Sequence, residues 1–404
     1  HRATYRKTSA RSAMTAASTA VLSDDNTPSR GATSSVRSVS AFRFLTSGPG
    51  DVTSLAQLLS NGNLRAAELV CILGKTEGNG GRNDHSRELA MRALEELLAP
   101  LLGVRREAVQ DRVILSFSGG TEGVATPHMV AFAQRGSWRQ TRAPHKRLVI
   151  GTGATRAFAA EEIGRMAQVQ ETARAITEIV AGLHLDSPQD VHLVQMKGAI
   201  PTATYAQEVA AQQRGQPLRS NMIYSRGASA LGAALALGEL APESAARLTD
   251  DAICADYSLY SGVASVSAKP GLLRTEIMVF GNSAYAEGEL IIGHTVMRDI
   301  LDTQSVRVLL SELGLPCEGQ LTEPQRQRLV AVLAKSEADP RGSIRGCRHT
   351  MLSDDDISDT RYSRCVLASV LASLTGDPAV YVSTRAEHHG PQGGGPVAIL
   401  VKAG

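Results

Sequence analysis

The sequence has little of what several function classes require. Aromatic residues make up 4% of its 404 positions, and Trp138 is the single tryptophan. Single-strand nucleic-acid binders stack bases on exposed rings, so so few rings argue against that class. The net charge is +2, too small to build a field that draws nucleic acid or an acidic membrane surface. Five cysteines, at 71, 254, 317, 347 and 365, are widely spaced and form no CxxC. That disfavours a disulfide framework and structural zinc, and it fits a reducing, cytoplasmic compartment. No apolar run approaches the roughly 20 residues that span a bilayer. What remains is 43% apolar and 20% charged, ordinary for a globular chain long enough to bury two or three cores.

Residues 1–36 differ from the rest: they are rich in Ser, Thr, Ala and Arg and hold no acid before Asp24. They are expected to be a disordered extension, the alternative being an organelle transit peptide of the same Arg/Ser-rich character.

Beyond that extension one pattern recurs. Ser86-Arg87 opens ELAMRALEELL, Ser225-Arg226 opens GASALGAALAL, and Ser363-Arg364 opens CVLASVLASL. A lysine ends a short apolar run upstream of each pair: Lys75, Lys197 and Lys335, the last two both 29 residues before their arginine. A serine precedes a strand-like run after each helix: Ser118, Ser267 and Ser383. Taken singly, these are a solvated lysine, a helix cap and a turn residue. Three ordered copies point instead to an internal repeat, with units at 37–140, 147–285 and 290–404. Strand and helix patterns alternate within each unit, so the fold class is α/β, or mixed α+β, with three repeats arranged around a central site. FRFL, VILSF and LVIGTG read as strands, and Asp51 reads as the cap of a short helix. EEIGRMAQVQETARAITEIVAGL, VMRDILD and PQRQRLVAVLA read as helices.

Two nucleotide-binding motifs fail. Gly74-Lys75-Thr76 ends like a P-loop but has Leu69 where the first glycine belongs, and Gly151-Thr152-Gly153 has Arg156 where the third glycine of a dinucleotide fingerprint belongs. His388-His389 is a weak transition-metal signal, because neighbours on an extended chain point to opposite sides.

If the units pack around a shared axis, the lysines, arginines and serines converge. Arginines near helix N-termini would grip a small ring bearing carbonyl oxygens through their planar forks. Clustered cations and burial lower a lysine's pKa, and a neutral lysine can take a serine's proton as that serine attacks a carbonyl.

Six ordered motifs carry a resemblance over about residues 40–404: SGPGD (47–51), GKTEGNGGRND (74–84), SGGTEGV (118–124), SRGASALG (225–232), RGCRHTMLSDDDI (345–357) and AEHHGPQGGGPVA (386–398). The chain resembles the ring-opening amidohydrolases, the family of cyanuric acid amidohydrolases and barbiturases. The resemblance implies three repeats, each with a Ser-Lys dyad: Lys75/Ser118, Lys197/Ser267 and Lys335/Ser383. Ser267 would be the nucleophile and Lys197 its base, with Ser265 a rival by position. Arg87, Arg226 and Arg364 would hold the ring carbonyls, helped by backbone N–H groups of Gly119, Ala268 and Thr384, with Arg385 beside them. The reaction would open a cyclic imide without a catalytic cofactor: cyanuric acid to carboxybiuret and then biuret and CO2, or barbituric acid in the alternative. A degenerate member would bind the ring without turning it over. The resemblance also implies a structural Mg2+ or Ca2+ on Glu337, Ala386, His389, Gly390, Pro391 and Gly394, and a homotetramer. No nucleic-acid or membrane partner is expected. Two departures stand out: Thr384-Arg385 replaces a glycine pair, and the Ser267 loop lacks the glutamate found at Glu122 and Glu387.

Overall fold

The computed structural model describes residues 36–81 and 83–404. The amino-terminal extension therefore lies, but for its last residue, outside the described residues. Leu329–Ser336 is buried at every position, as expected of a strand covered on both faces. Its counterparts Leu69–Thr76 and Val191–Ile200 are nearly so. Each is the centre of a four-stranded sheet, and the three sheets have one connectivity.

In the first sheet the strands are β1 (Ser38–Leu45), β2 (Leu69–Thr76), β3 (Ile114–Gly119) and β4 (His128–Arg135), in the order β1-β4-β2-β3. The second has β5 (Arg147–Ala154), β6 (Val191–Ile200), β7 (Ala264–Pro270) and β8 (Glu276–Ser283), in the order β5-β8-β6-β7. In the third, β9 (Leu290–Met297), β10 (Leu329–Ser336), β13 (Val380–Thr384) and β14 (Gly395–Lys402) lie in the order β9-β14-β10-β13; β11 (Ser343–Ile344) and β12 (Cys347–Arg348) form a separate ribbon. In every sheet the second strand runs parallel to the third and antiparallel to the fourth. A parallel pair needs a crossover, supplied by helices Ser86–Leu102, Met222–Ala236 and Asp359–Thr375. A second helix, Thr53–Ser60, Met166–Ala181 or Thr303–Glu312, joins the first strand to the second.

The inner faces of all three sheets meet in one core that includes Phe132, Phe280, Leu333, Tyr381 and Leu400. Each outer face packs under its own helices in a separate cluster. Phe132 and Phe280 come from different sheets, are fully buried, and meet edge to face with centroids 5.2 Å apart. Phe280→Ala is therefore expected to destabilise the protein by about 3–5 kcal/mol; a denaturant unfolding midpoint close to that of the unaltered protein would refute the central packing.

Two helix expectations are corrected. VMRDILD contributes Val296 and Met297 to the end of β9 and then a turn, and the helix begins later, at Thr303, capped by Asp302, whose carboxylate accepts the Ser305 N–H at 3.3 Å. PQRQRLVAVLA divides at Leu329: Glu323–Arg328 is helical and the rest is β10. Burial on both faces erases the alternation that marks a half-buried strand. The Ser-Arg pairs are also repositioned. Ser86 begins its helix, but Ser225 and Ser363 lie about a turn inside helices capped by the side chains of Asn221 and Ser358. The cap of the short helix is Val52 rather than Asp51; Asp51, one residue earlier, still accepts the Thr53 N–H at 3.1 Å.

Candidate active site

The parallel strand pairs place every lysine directly beside its serine. The register is Lys75–Ser118 in the first sheet, Lys197–Ser267 in the second and Lys335–Ser383 in the third. Paired positions on neighbouring strands present side chains on one face, and the contacts follow. Nζ to Oγ is 3.3 Å for Lys75–Ser118, 2.8 Å for Lys197–Ser267 and 3.2 Å for Lys335–Ser383. Ser265 lies opposite Gln195 instead, so it is not the serine that lysine reaches.

The three lysines are buried and feel one another's charge. Burial lowers each of them first; guanidinium charge adds to it, from Arg364 at Lys75, Arg87 at Lys197 and Arg226 at Lys335. Lys197 and Lys335 are each brought down to about 7, so a neutral amine is populated near neutral pH. The second dyad differs in its anchor. Lys75 and Lys335 donate to the carbonyls of Gly119 and Thr384 in their own sheets, at 3.0 Å and 3.2 Å. Lys197 donates across to the Phe117 carbonyl of the first sheet at 2.8 Å. Of the three lysines, Lys197 is therefore the one tied to a neighbouring sheet.

The arginines are arranged cyclically, with one gap. Arg226 of the second repeat forms a bidentate pair with Glu387 of the third, both contacts 2.8 Å. Arg364 of the third does the same with Glu122 of the first, at 2.7 Å and 2.5 Å, and also donates to the Asn79 carbonyl at 2.8 Å. Burial would raise both carboxyls, but the facing arginine prevails and both pKa values are lowered. Arg87 completes the set without a cross-repeat carboxylate: it donates to the Gly81 carbonyl at 2.8 Å, and its Nε lies 3.6 Å from Asp84. The second repeat has Gly271 four residues after its serine, where Glu122 and Glu387 stand in the others. That missing glutamate, visible in the sequence, leaves Arg87 paired only within its own repeat. The sequence did not show that the other two glutamates clasp arginines of neighbouring repeats.

Gly120 explains the glycine pair after Ser118. Its φ is +102°, and a Cβ there would stand 2.3 Å from Arg364 Nε. Arg385, the matching position after Ser383, takes a φ of +66° with a side chain. Its guanidinium turns outward, 47% exposed, and pairs with Asp359 at 3.0 Å. Arg385 is therefore not brought to the dyads. Thr384 and Ala268 sit beside their serines in the strands, and both are buried.

The segment 386–395 is mostly buried, and each histidine in it is fully engaged. His388 accepts the Cys254 N–H at 2.7 Å through Nε2 and meets the Leu259 carbonyl through Nδ1 at 2.6 Å. His389 accepts the Val266 N–H at 3.0 Å, one residue before Ser267, and meets the Glu387 carbonyl at 2.6 Å. The His389 imidazole has no nitrogen left for a metal, so only its main-chain oxygen could serve. Among the described residues no cluster of three or more His, Cys, Asp or Glu could hold a metal, and no helix is long and apolar enough to cross a membrane.

Comparison with known proteins agrees with this geometry. Residues 40–402 match the family model of the amidohydrolase ring-opening proteins. A cyanuric acid amidohydrolase of Enterobacter cloacae is 46% identical over 369 residues, 89% of this chain and 98% of that protein. One from Pseudomonas sp. (strain ADP) is 42% identical over 370 residues, 90% of this chain and 99% of its own. A solved cyanuric acid hydrolase aligns with a TM-score of 0.82 at 41% identity, covering 91% of this chain and all of that one; the structure from A. caulinodans gives 0.77, also at 41% identity. With a family model, relatives above 40% identity and solved folds all covering nearly the whole described chain, the protein belongs to the ring-opening amidohydrolase family.

Proposed function

We propose that the protein opens the ring of cyanuric acid by hydrolysis, with Ser267 as nucleophile and Lys197 as general base. The observation that carries the reading is the Lys197–Ser267 contact of 2.8 Å, made by a lysine held down to about 7. Ser267 passes its proton to Lys197 as Oγ bonds to a ring carbonyl carbon. The ring C–N bond then breaks, and the Lys197 ammonium returns the proton to the departing nitrogen. Water hydrolyses the resulting acyl-serine to carboxybiuret, which loses CO2 to give biuret.

The other two dyads suit recognition of the remaining ring edges. Among the described residues, Arg226 and Arg364 each use Nε and Nη2 on a glutamate and keep Nη1 clear of any hydrogen bond. Arg87, which no carboxylate of another repeat clasps, is the guanidinium whose charge reaches Lys197.

A structural cation belongs to this reading. Glu337 is withdrawn from water; burial and the nearby Glu387 charge raise its pKa, and its carboxylate accepts the Ala386 N–H at 3.1 Å. A hard cation would relieve that buried charge, using Glu337 with main-chain oxygens of Ala386, His389, Gly390, Pro391 and Gly394. These residues fit such an ion, whose part would be to stiffen the loop carrying Glu387 and His389. A homotetramer is also part of the proposal.

The test is parallel incubation with cyanuric acid and barbituric acid, following loss of ring absorbance and release of biuret. Biuret from cyanuric acid is expected. Consumption of barbituric acid alone would replace the substrate, and tight ring binding without turnover of either compound would mark a non-catalytic binder.

A further inference from the structure

The reacting dyad has a neighbour that neither other dyad has. Across the antiparallel β6–β8 pair, the residue opposite Lys197 is Glu276, and opposed residues present their side chains on one face. At the same register Lys75 is opposed by His128, which burial holds neutral, its pKa lowered to about 4, and whose ring meets the Thr126 carbonyl at 2.7 Å. In the third sheet the β10–β14 pairing ends at Ala334–Val397, and glycine and proline precede Val397. The carboxylates nearest Lys75 and Lys335 are otherwise occupied: Glu122 and Glu387 each clasp an arginine, and Glu337 takes the Ala386 amide. Among the described residues, the Glu276 carboxylate has neither a hydrogen bond nor an ion pair, although it is only half exposed at most.

We propose that Glu276 is a positioning residue of the reacting dyad: it stabilises the Lys197 ammonium that forms as Ser267 gives up its proton. The role resembles that of a carboxylate behind a catalytic histidine, which remains ionised while the base becomes cationic. It would explain why one of three similar dyads reacts. A lysine must be neutral to begin and charged midway, so burial alone favours only the first state. A carboxylate facing the amine, not locked to an arginine, favours the second. The charges around the pair are few. Lys197 faces Arg87, Glu276 and Lys269; Glu276 faces Lys197, Lys269 and Arg274, with Asp111 the one other acid. Burial raises the carboxyl, and the three cations oppose that rise.

The inference rests on the proposed Ser267–Lys197 chemistry, so its test has one readout that does not need turnover. Glu276→Gln and Glu276→Asp are compared with the unaltered protein, first in the pH dependence of kcat/KM for cyanuric acid. The second readout is the pH dependence of Lys197 carbamylation by cyanate, measured on the peptide containing Lys197. A facing carboxylate favours the ammonium, so Glu276→Gln should move both the acidic limb and the labelling midpoint to lower pH, by about one unit. It should also lower the plateau kcat about tenfold, because the transient ammonium loses its partner, while Glu276→Asp should restore part of each effect. An unmoved labelling midpoint in Glu276→Gln overturns the proposal, whether or not the protein turns over. A moved midpoint without turnover in any form would leave Glu276 in place as the partner of Lys197 and sink the reading of the reaction instead.

Discussion

Lys197→Ala is expected to lower kcat by about three to six orders of magnitude, the range seen when a base that acts together with its nucleophile is removed. Ring binding should survive, because Arg87, Arg226, Arg364 and the other two dyads are untouched. The result should appear as a collapse of kcat with a ring dissociation constant close to that of the unaltered protein. Rates near wild type would reject Lys197 as the base. Lys197→Met guards against a folding artefact, since it fills the space of a buried side chain without a titratable group. It also has a signature in stability. The Lys197 pKa is depressed by burial, and then by Arg87, to about 7 from an ordinary 10.5. Between those values the unfolded chain binds a proton that the folded chain does not, so this group makes stability rise as pH increases from about 7 to about 10.5. Lys197→Met should remove that share of the rise, measurable as a flatter profile of unfolding free energy against pH.

The lysine–serine contacts were legible in the sequence because repetition turned three weak signals into one strong one. Lys75, Lys197 and Lys335 each end an apolar run, and parallel pairing with the strand after the crossover helix brings each to its serine. What stayed hidden depended on distance or on burial. Arg226 and Glu387 are 161 positions apart, and Arg364 and Glu122 are 242 apart, so no local pattern could pair them; only the missing glutamate of the second repeat hinted that the position mattered. His389 looked like a ligand by analogy with its loop, yet its ring is taken up by Val266 and Glu387. Strand β10 read as helix because its apolar residues are continuous, a feature shared by doubly covered strands and buried helices.

Breaking the Arg226–Glu387 pair by Glu387→Gln should destabilise the protein by about 3–5 kcal/mol, because it leaves a guanidinium buried without a counter-charge. The side chains are only 6% and 8% exposed, so solvent offers little compensation. The contrast is the helix pair Arg92–Glu96, with a similar contact of 2.9 Å but exposures of 65% and 57%, whose loss should cost less than about 1 kcal/mol. A double-mutant cycle with Arg226→Leu and Glu387→Leu separates the interaction from the cost of an orphaned charge. The double variant should be more stable than the sum of the single losses predicts, since neither charge remains. Catalysis should respond differently: all of these variants disturb the guanidinium at Lys335 and the loop through His389 to Val266, so the double variant should regain stability without regaining kcat. If Glu387→Gln instead unfolds at the wild-type denaturant midpoint, the carboxylate is not what fixes that arginine. The second and third repeats would then be held at this point by other contacts, such as the Val266 N–H donated to the His389 ring.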